Sequence, residues 1–435
     1  MGRFAHSWIM HLYRFAIGLS AAFGHEKAQG WLSMRKDNLT HVRAATATLA
    51  RGEKWVWFHC ASVGEFEQAQ PVMEAMRERH DSMKFMLTFY SPSGWLNFAR
   101  RKPEWWRQSD QVAAMPLDTP LAIRRFLQAL TPVDASAPAV QLLALSKYEI
   151  WPELICQLKL HTPMALFAAH VIPGRWPFGT FGRFHRAAWR QLDEVLVQNE
   201  DSVLELDRWN VDAKIGGDPR FDRVLEAQKV MANQPDAALT RWVQGRVCLV
   251  VGSAWAPESR IAQAAWSPGQ ACIVVPHEWD EHWAEREQST WNDRGAKAII
   301  WSEVRGGDDR AELPDSDVIL LDAMGQLMHV YGAAQLALVG GGFGKGVHNT
   351  LEPAAHGLPI WVGPKVDRFA EVQDLYEAGG LTVAVDEADC AELLRLAWCD
   401  VERLKNSGLA ARDYALKHAG AGDQIAKHLI GLLTP

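Results

Sequence analysis

Two glutamates follow short apolar runs in the N-terminal half, each within the pattern Ser-x-x-Glu. Glu65 ends the segment HCASVGE at residues 59–65, and Glu149 lies in SKYEIWPE at residues 146–153. If the apolar runs are parallel strands, both carboxylates lie at one edge of a sheet, where a helix N-terminus favours the ionised form. Such a carboxylate could act as general base on a hydroxyl, worth roughly 10²- to 10⁴-fold in rate. The pattern is also that of a capping box, which needs only local structure, so both interpretations stay open.

A glycine-rich segment of the C-terminal half, GGGFGKGVHNTLE at residues 340–352, has the features of a phosphate-binding loop. Its glycines let backbone amides approach an anion closely, and the helix predicted after it would present its N-terminus to phosphate. Lys345 and His348 add cationic groups, and Glu352 could accept hydrogen bonds from ribose hydroxyls. The alternative is an ordinary turn with a helix cap. The residues of this segment predicted to contact a ligand are Gly342, Lys345, His348, Asn349, Thr350 and Glu352.

Further candidates lie at predicted strand ends and on one predicted helix. Ser253, Pro276 and His277 each follow a buried strand of the C-terminal half and would face the same ligand, unless they are plain loop residues. Arg183 and Arg186 are spaced along one helical face beside aromatic residues and could meet phosphorylated lipid headgroups. A solvated charged face is the commoner explanation of such a pattern.

Sequence motifs of several other protein classes are absent or incomplete in this chain. Gly346 follows Gly344-Lys345 where a Walker A loop needs Ser or Thr, and G-x-G-x-x-G does not occur. On a helix the histidines of HEWDEH, residues 277–282, would lie about 140° apart, which excludes a metalloprotease helix. The six cysteines form no C-x-x-C pair, which is typical of a reducing compartment and leaves no zinc knuckle. We expect neither a bound metal nor a cofactor.

The first 30 residues predict an amphipathic helix. Such a helix can lie in a membrane interface with its basic residues near anionic headgroups, or it can dock on the protein's own core. No stretch of the chain approaches the roughly 18 to 20 uncharged apolar residues of a spanning helix. The apolar face consists of Trp8, Leu12, Phe15, Leu19 and Phe23, and the polar face of Ser7, His11, Arg14 and Gly18.

The remainder of the chain alternates between apolar runs and helical stretches. With 435 residues, 48% of them hydrophobic, it can fill two cores without disulfides or metals. A formal net charge of −7 argues against nucleic-acid binding, which needs a basic surface. The alternation predicts parallel sheets covered by helices. The predicted strands are residues 55–60, 85–89, 140–145, 163–169, 194–197, 246–251, 272–275, 318–321, 336–339 and 359–362.

The turn residues of IGGDPRFD, residues 215–222, predict a linker between two α/β domains that face a ligand-binding cleft. We therefore expect an amphipathic membrane-associating helix at 1–30, an N-terminal domain at 31–215 and a C-terminal domain at 216–435. The last helix of the C-terminal domain could pack back on the N-terminal one.

Six motifs follow one another along the chain between about Trp31 and about Ile430. They are HCASVGEFEQAQPV, TFYSPSGW, SKYEIWPELI, GDPRFD, VGSAW and DAMGQLMHVYGAAQLALVGGGFGKGVHNTLEPAAHGLPIWVGP. Together they resemble the 3-deoxy-D-manno-oct-2-ulosonic acid (Kdo) transferases of lipopolysaccharide assembly, and the last segment is the most specific.

The resemblance implies a GT-B fold, two Rossmann-like domains of which the second holds the donor. It implies an inverting, metal-free transfer of Kdo from CMP-Kdo to the 6′-hydroxyl of a lipid A precursor (lipid IVA) at the cytoplasmic face of the inner membrane. Inner-membrane lipids are then expected partners. Glu65 matches the family's catalytic base, and Glu149 matches its second acidic residue. Donor contacts are expected from Ser253, Pro276, His277, Gly342, Lys345, His348, Asn349, Thr350 and Glu352, and acceptor contacts from Ser62, Gly64, Lys147, Arg183 and Arg186.

This chain departs from the family pattern at two positions. Many members have Arg where this chain has His277, and many have N-A-R where it has Ala-His-Val at 169–171. Arg175, Arg220 or Lys345 could replace the missing charges, and a histidine would make donor binding more sensitive to pH. Two other functions stay open: a GT-B glycosyltransferase with a different activated sugar donor, and a membrane-tethered nucleotide-binding module without turnover.

Overall fold

The structure, a computed structural model, describes residues 2–174, 177, 182–305, 312–366 and 369–433. The chain divides into two compact units: unit 1 comprises Met1–Arg223 with Gly420–Pro435, and unit 2 comprises Val224–Ala419. The division falls after Arg223 rather than after residue 215. The reason is that the predicted linker runs directly into a helix, Arg220–Asn233, whose first turn belongs to unit 1.

Each unit is built on a seven-stranded parallel sheet. All ten predicted strands are present. The four strands that were not predicted are the two edge strands of each sheet, which are short and partly solvated and therefore lack a long apolar run. The strands are β1 (Trp55–Cys60), β2 (Lys84–Phe89), β3 (Gln111–Ala114), β4 (Val140–Ser146), β5 (Met164–Ala169), β6 (Glu194–Val197), β7 (Lys214–Ile215), β8 (Cys248–Ala254), β9 (Ala271–Pro276), β10 (Ala298–Ile300), β11 (Val318–Leu320), β12 (Leu336–Val339), β13 (Ile360–Val362) and β14 (Leu381–Val383).

Helices connect and cover the strands. They are α1 (Arg3–Ala22), α2 (Glu26–Ser33), α3 (Asn38–Ala47), α4 (Val63–Arg79), α5 (Pro92–Arg100), α6 (Pro120–Ala129), α7 (Pro152–Leu158), α8 (Arg183–Trp189), α9 (Glu200–Asp207), α10 (Arg220–Asn233), α11 (Ala237–Val243), α12 (Ala256–Ala265), α13 (Trp283–Asp293), α14 (Trp301–Arg305), α15 (Leu327–Tyr331), α16 (Leu351–Ala355), α17 (Ala370–Glu377), α18 (Glu387–Trp398), α19 (Val401–Lys417) and α20 (Ala421–Gly431).

The strand order is what positions a site in each unit. In unit 1 it is β3-β2-β1-β4-β5-β6-β7, and in unit 2 it is β10-β11-β9-β8-β12-β13-β14. The direction of chain progression reverses between β1 and β4 and again between β8 and β12. In open α/β sheets, ligands bind beyond the carboxyl ends of the strands at such a reversal.

The sheet of unit 1 separates two hydrophobic cores. Along β1, Trp55 and Trp57 point into one core, and Val56 and Phe58 point into the other, as the twofold period of a strand requires. Because helices cover both faces, all six residues of β1 are buried. The second core also contains Ile425 of α20, so the last helix packs within unit 1 against α4.

The N-terminal helix α1 packs on unit 1 through a face that carries both polar and apolar residues. Arg3 Nε donates to Glu153 Oε2 at 2.7 Å, and the buried His6 has its Nε2 2.8 Å from Asp118 Oδ2. The apolar face points away from unit 1, since Trp8 and Phe15 are 70% and 71% exposed. Met10 packs against the core of unit 1 and Tyr13 packs on Trp31 and Tyr90, so α1 is docked on unit 1 while its predicted apolar face stays exposed. Within the described ranges, no helix is both long and apolar enough to cross a bilayer.

Candidate functional site

Glu65 occupies the first turn of α4, shortly after β1 ends. Its Oε2 accepts a hydrogen bond from the Ser62 amide at 3.0 Å and another from the Ser62 hydroxyl. The capping box that the sequence left open is therefore formed. The side chain is only half-buried and the cap uses Oε2 alone, so capping does not prevent the carboxylate from meeting a ligand.

Glu149 does not cap a helix, because the chain after β4 is irregular and α7 begins only at Pro152. The second capping box allowed by the sequence is thus not formed. Instead, Oε2 of Glu149 accepts a hydrogen bond from Trp151 Nε1 at 2.8 Å. The same oxygen lies 3.3 Å from Nε2 of His59, the fully buried imidazole next to the end of β1. The Glu149 carboxylate therefore contacts two ring nitrogens, Nε1 of Trp151 and Nε2 of His59.

The motifs after β1 and β4 meet at the strand reversal of unit 1. Ser146 Oγ donates to the backbone carbonyl of Glu65 at 3.1 Å, which joins the end of β4 to the first turn of α4. Burial raises the pKa of the Cys60 thiol well above its usual range, and the charges of Glu65 and Glu149 raise it further. The thiol therefore stays protonated, and both carboxylates lie within electrostatic range of the end of β1.

The smaller acceptor-site candidates lie next to these glutamates. Ser62 and Gly64 flank the start of α4, and a Cβ at Gly64 would meet open space. Lys147 follows Ser146 with φ 61°, a left-handed conformation that non-glycine residues rarely adopt. Its ammonium lies 5.3 Å from the centroid of the Tyr148 ring. Strained residues of this kind cluster at ligand sites.

The arginine candidates are partly engaged within unit 1. Arg183 is exposed at the start of α8. Arg186 donates to a backbone carbonyl at 2.7 Å, and its guanidinium lies 4.2 Å from the centroid of the Trp209 ring, so it is not part of a solvated charged face. Arg220 Nε donates to Asp218 Oδ2 at 2.8 Å. Arg175 lies outside the described residues.

In unit 2 the glycine-rich segment follows β12 and passes very close to other backbone. The Gly340 amide donates to the Gly252 carbonyl at 2.8 Å. A Cβ at Gly340 would stand 2.0 Å from the Ser253 carbonyl oxygen, and a Cβ at Gly342 would stand 2.5 Å from the Gly363 amide nitrogen. Only glycine fits at these two positions, so the segment has little freedom to take another path.

Glu258 anchors this segment from the first turn of α12. Its carboxylate accepts hydrogen bonds from the Gly341 amide at 2.9 Å and from the Trp255 amide at 3.0 Å. Burial raises the pKa of Glu258, and the backbone amides that it accepts from oppose that shift. One buried carboxyl thus links the chain after β8 to the chain after β12.

Two imidazoles and an indole stack beside the segment. The rings of His277, directly after β9, and His348 have centroids 4.1 Å apart and planes inclined by 18°. Trp255 Nε1 donates to His348 Nε2 at 3.1 Å, so the neutral His348 ring carries its proton on Nδ1. Burial lowers the pKa of His348, and His277 lowers it further. A bound phosphate would favour protonation of the stack by supplying negative charge.

The helix after the segment, α16, has little more than one turn. Asn349 Oδ1 accepts from the Leu351 amide at 3.0 Å, and Asn349 Nδ2 donates to Glu352 Oε1 at 3.0 Å. Thr350 occupies the cap position without capping through its hydroxyl, which is buried and has no hydrogen-bond partner in the described part of the chain. Asn349 is therefore the capping side chain. Lys345 is exposed.

The remaining donor candidates end neighbouring strands. Ser253 lies near the end of β8 with φ 51°, and Pro276 ends β9, where it pairs with Ala254. All nine predicted donor residues thus lie in unit 2, at the ends of β8 and β9 or after β12. Within the described ranges, no group of three His, Cys, Asp or Glu side chains could hold a metal ion.

Comparison with known proteins relates the chain to one family. The family model described as 3-deoxy-D-manno-octulosonic-acid transferase (kdotransferase) matches residues 34–223. A 3-deoxy-D-manno-octulosonic acid transferase of Bordetella pertussis is 28% identical over 380 residues, which is 84% of each chain. One of Haemophilus influenzae is 26% identical over 87% of this chain and 86% of its own. The chain is therefore similar to Kdo transferases over most of its length, in agreement with the prediction of a glycosyltransferase of this kind.

Solved structures confirm the two-sheet α/β fold. MurG of Acinetobacter baumannii superposes with a TM-score of 0.52 at 11% identity, covering 87% of this chain and 99% of that one. A UDP-GlcNAc 2-epimerase of Methanocaldococcus jannaschii gives 0.54 at 11% identity, with the same coverage of both chains. These neighbours are GT-B-like, and at such identity they bear on the fold alone.

Sequence reasoning missed several residues of the candidate site. His59 and Trp151 hold Glu149, and Trp255 and Glu258 organise the chain beside the glycine-rich segment. His59 and Trp255 belong to the quoted motifs HCASVGE and VGSAW, so their position next to a strand end was the available signal. Nothing local distinguishes the cap glutamate of α12 from any other.

Proposed function

We propose that this protein transfers Kdo from CMP-Kdo to the 6′-hydroxyl of a lipid A precursor, with unit 1 binding the acceptor and unit 2 the donor. The observation that carries the proposal is the pair of carboxylates, Glu65 and Glu149, at the strand reversal of unit 1 in a chain similar to Kdo transferases. Unit 2 has the complementary chemistry at its own reversal, namely two stacked imidazoles beside the glycine-rich segment, which suit an anion.

Each group has a defined part in the proposed step. Glu65, ionised in the first turn of α4, accepts the proton of the acceptor hydroxyl as that oxygen attacks the anomeric carbon of Kdo. The bond from this carbon to the phosphate oxygen of CMP breaks, and the configuration inverts because attack comes from the face opposite CMP. The imidazole stack stabilises the phosphate of the departing CMP.

A transfer assay tests the reaction directly. The purified protein in mild detergent receives CMP-Kdo, generated in situ because it hydrolyses, and a tetra-acylated lipid A precursor. Mass spectrometry of the lipid should show a gain of one or more Kdo units with the wild type and none with Glu65→Gln. CMP binding that survives in Glu65→Gln shows that the variant is folded. Retained turnover in that variant would make Glu65 a cap only and place the base elsewhere.

A transferase with a different activated sugar donor is the second candidate. It is favoured by one observation, His277 at a position where many family members have arginine, in direct contact with His348. Offering UDP-sugars in place of CMP-Kdo in the same assay separates the two. Lipid modified only by a UDP-sugar would replace the first proposal by this one.

We propose further that α1 holds the protein on the inner membrane by lying in the interface. The helix is held on unit 1 through residues such as Arg3 and His6, whereas Trp8 and Phe15 are exposed. Such an outward apolar face suits the headgroup boundary, and it would keep the enzyme beside a lipid acceptor.

Vesicle sedimentation tests this attachment. The wild-type protein should sediment with anionic phospholipid vesicles. The fraction of protein in the vesicle pellet should be at least tenfold lower for Trp8→Glu/Phe15→Glu. Leu204→Glu on α9, which changes another exposed apolar residue, is the matched control and should sediment like the wild type. Equal sedimentation of all three proteins would contradict attachment through α1.

A further inference from the structure

The fully buried Thr88 connects two side chains at the centre of unit 1. Its hydroxyl accepts a hydrogen bond from Trp57 Nε1 at 2.8 Å and lies 2.9 Å from His59 Nδ1. The carbonyl of Thr88 lies 3.1 Å from the same Nδ1. On the other side of the ring, Nε2 is buried, makes no hydrogen bond in the described part of the chain, and lies 3.3 Å from Glu149 Oε2.

The donors in this chain have a fixed direction. The indole of Trp57 can only donate, so the hydroxyl of Thr88 must accept from it and has its own hydrogen left to give. The nearer acceptor is His59 Nδ1, at 2.9 Å against 3.4 Å for the Phe58 carbonyl. When Nδ1 accepts, the neutral ring carries its proton on Nε2, the nitrogen that lies 3.3 Å from Glu149 Oε2. Trp57 then donates to Thr88 and Thr88 donates to His59, whose Nε2–H is in electrostatic contact with the Glu149 carboxylate.

Thr88 also serves the ring in its other protonation state. If the His59–Glu149 pair gains a proton, Nδ1 becomes a donor, and the Thr88 carbonyl at 3.1 Å accepts from it. Nδ1 therefore keeps a partner whether the pair is protonated or not. A residue with only a carbonyl at this position would satisfy the protonated pair alone.

We propose that Thr88 is a positioning residue which, through His59, orients Glu149 and keeps it ionised during catalysis. The inference rests on the proposed function, since it concerns the second carboxylate of that site. The other titratable groups around the pair are the Cys60 thiol on β1, Glu65 on α4, whose charge acts on that thiol together with that of Glu149, and Tyr90 after β2, which packs on Trp151. Lys147 and Tyr148 precede Glu149 in the same loop.

Thr88→Val tests the proposal by removing the hydroxyl and keeping the carbonyl. The deprotonated pair then loses its partner at Nδ1, so the protonated pair is favoured. We expect the acid limb of the kcat–pH profile to move up by about one pH unit, roughly a tenfold loss of kcat on that limb, with the alkaline plateau nearly unchanged. Thr88→Ser, which restores the hydroxyl, should follow the wild type.

Trp57→Phe is the control for structural damage, because it removes the other partner of the Thr88 hydroxyl without touching His59. It should lower the melting temperature and leave the acid limb in place. The proposal fails if Thr88→Val lowers kcat by the same factor at every pH, or if Thr88→Ser behaves like Thr88→Val.

A spectroscopic measurement separates failure of this inference from failure of the proposed function. In ¹⁵N-histidine-labelled protein, the signal that disappears in His59→Gln identifies the ring, and its shifts show which nitrogen carries the proton. We expect Nε2–H in the wild type and a different state in Thr88→Val, whether or not the protein transfers Kdo. A neutral wild-type ring with its proton on Nδ1 would overturn the proposal.

Discussion

The two strand reversals have related topology and opposite chemistry. Between β1 and β4, unit 1 presents two carboxylates that are held by donors, whereas beside β8 and β12, unit 2 presents imidazoles. Both use a strained residue at a strand end, Lys147 with φ 61° and Ser253 with φ 51°. The sheet therefore determines where a ligand meets each unit, and the side chains that follow the strands determine its charge.

Glu65 and Glu258 show the same contrast at the level of single residues. Each lies at the third position of a helix that follows the first strand of its sheet, and each accepts a hydrogen bond from the backbone amide of the capping residue. Glu65 is half-buried beside a second carboxylate, while Glu258 is fully buried and also binds the Gly341 amide. A shared local motif thus serves catalysis in one unit, as we propose, and architecture in the other.

The largest effect is expected from Glu65→Gln. Loss of the carboxylate should lower kcat by roughly 10²- to 10⁴-fold, because an amide cannot accept the proton of the acceptor hydroxyl. The amide oxygen can still accept the cap hydrogen bond, so the free energy of unfolding should change by less than about 1 kcal/mol. Kinetics and urea unfolding on the same preparation measure both. A large loss of stability with a modest loss of kcat would contradict the prediction, because it would give Glu65 the structural role that we assign to Glu258.

Glu258→Gln should show the opposite pattern. An amide at this position must direct its NH₂ group towards the Gly341 or the Trp255 amide, which leaves a buried donor unsatisfied. We expect the free energy of unfolding to fall by about 1–3 kcal/mol. CMP affinity should weaken too, because the glycine-rich segment loses its anchor. Isothermal calorimetry and urea unfolding check the two effects, and unchanged stability would show that Glu258 is dispensable.

Acid should destabilise both units through one buried histidine in each. Burial lowers the pKa of His356 in unit 2 to about 4, and burial together with His6 lowers that of His185 in unit 1 to about 4. A histidine with a lowered native pKa stabilises fully above its unfolded value near 6.5 and loses that contribution as pH falls towards 4.

For His356 alone, the free energy of unfolding falls by at most about 2 kcal/mol between pH 7 and pH 5. His356→Gln cannot titrate, so its unfolding free energy should fall less over this range than that of the wild type. His185→Gln makes the same test in unit 1. Parallel pH curves for the wild type and His356→Gln would show that His356 is not the responsible group.

The smallest effect concerns the pH dependence of donor binding. Protonation of His348 should accompany phosphate binding, so CMP should bind several-fold more tightly at pH 6 than at pH 8, with tenfold per pH unit as the limit for one proton. His277→Arg supplies a permanent charge and should flatten this dependence. His282→Arg, at an exposed histidine of the same segment, should leave it unchanged. Equal slopes in all three proteins would remove the stack from donor binding.

The central strands of both sheets were predictable because they are buried on two faces and read as continuous apolar runs. The edge strands β3, β7, β10 and β14 were not, since one side of each lacks a partner strand and apolar residues are not required there. The turn residues from 216 onwards mark where β7 ends, whereas the contacts within the chain divide after Arg223. The amphipathic pattern of α1 was visible in the sequence, but which face is exposed was not.

Residue type and spacing alone determined the alternation of strands and helices, the resemblance to one family and the motifs that carry the two glutamates and the glycine-rich segment. Only the tertiary structure decided that Ser62 and Glu65 form a cap while Ser146 and Glu149 do not, and that Glu149 is held by His59 and Trp151. Only the tertiary structure brings Glu258 to the Gly341 amide and stacks His277 on His348. The physical reason is distance along the chain: periodicity and caps arise within a few residues, whereas hydrogen bonds across parallel strands join residues that a linear pattern does not relate.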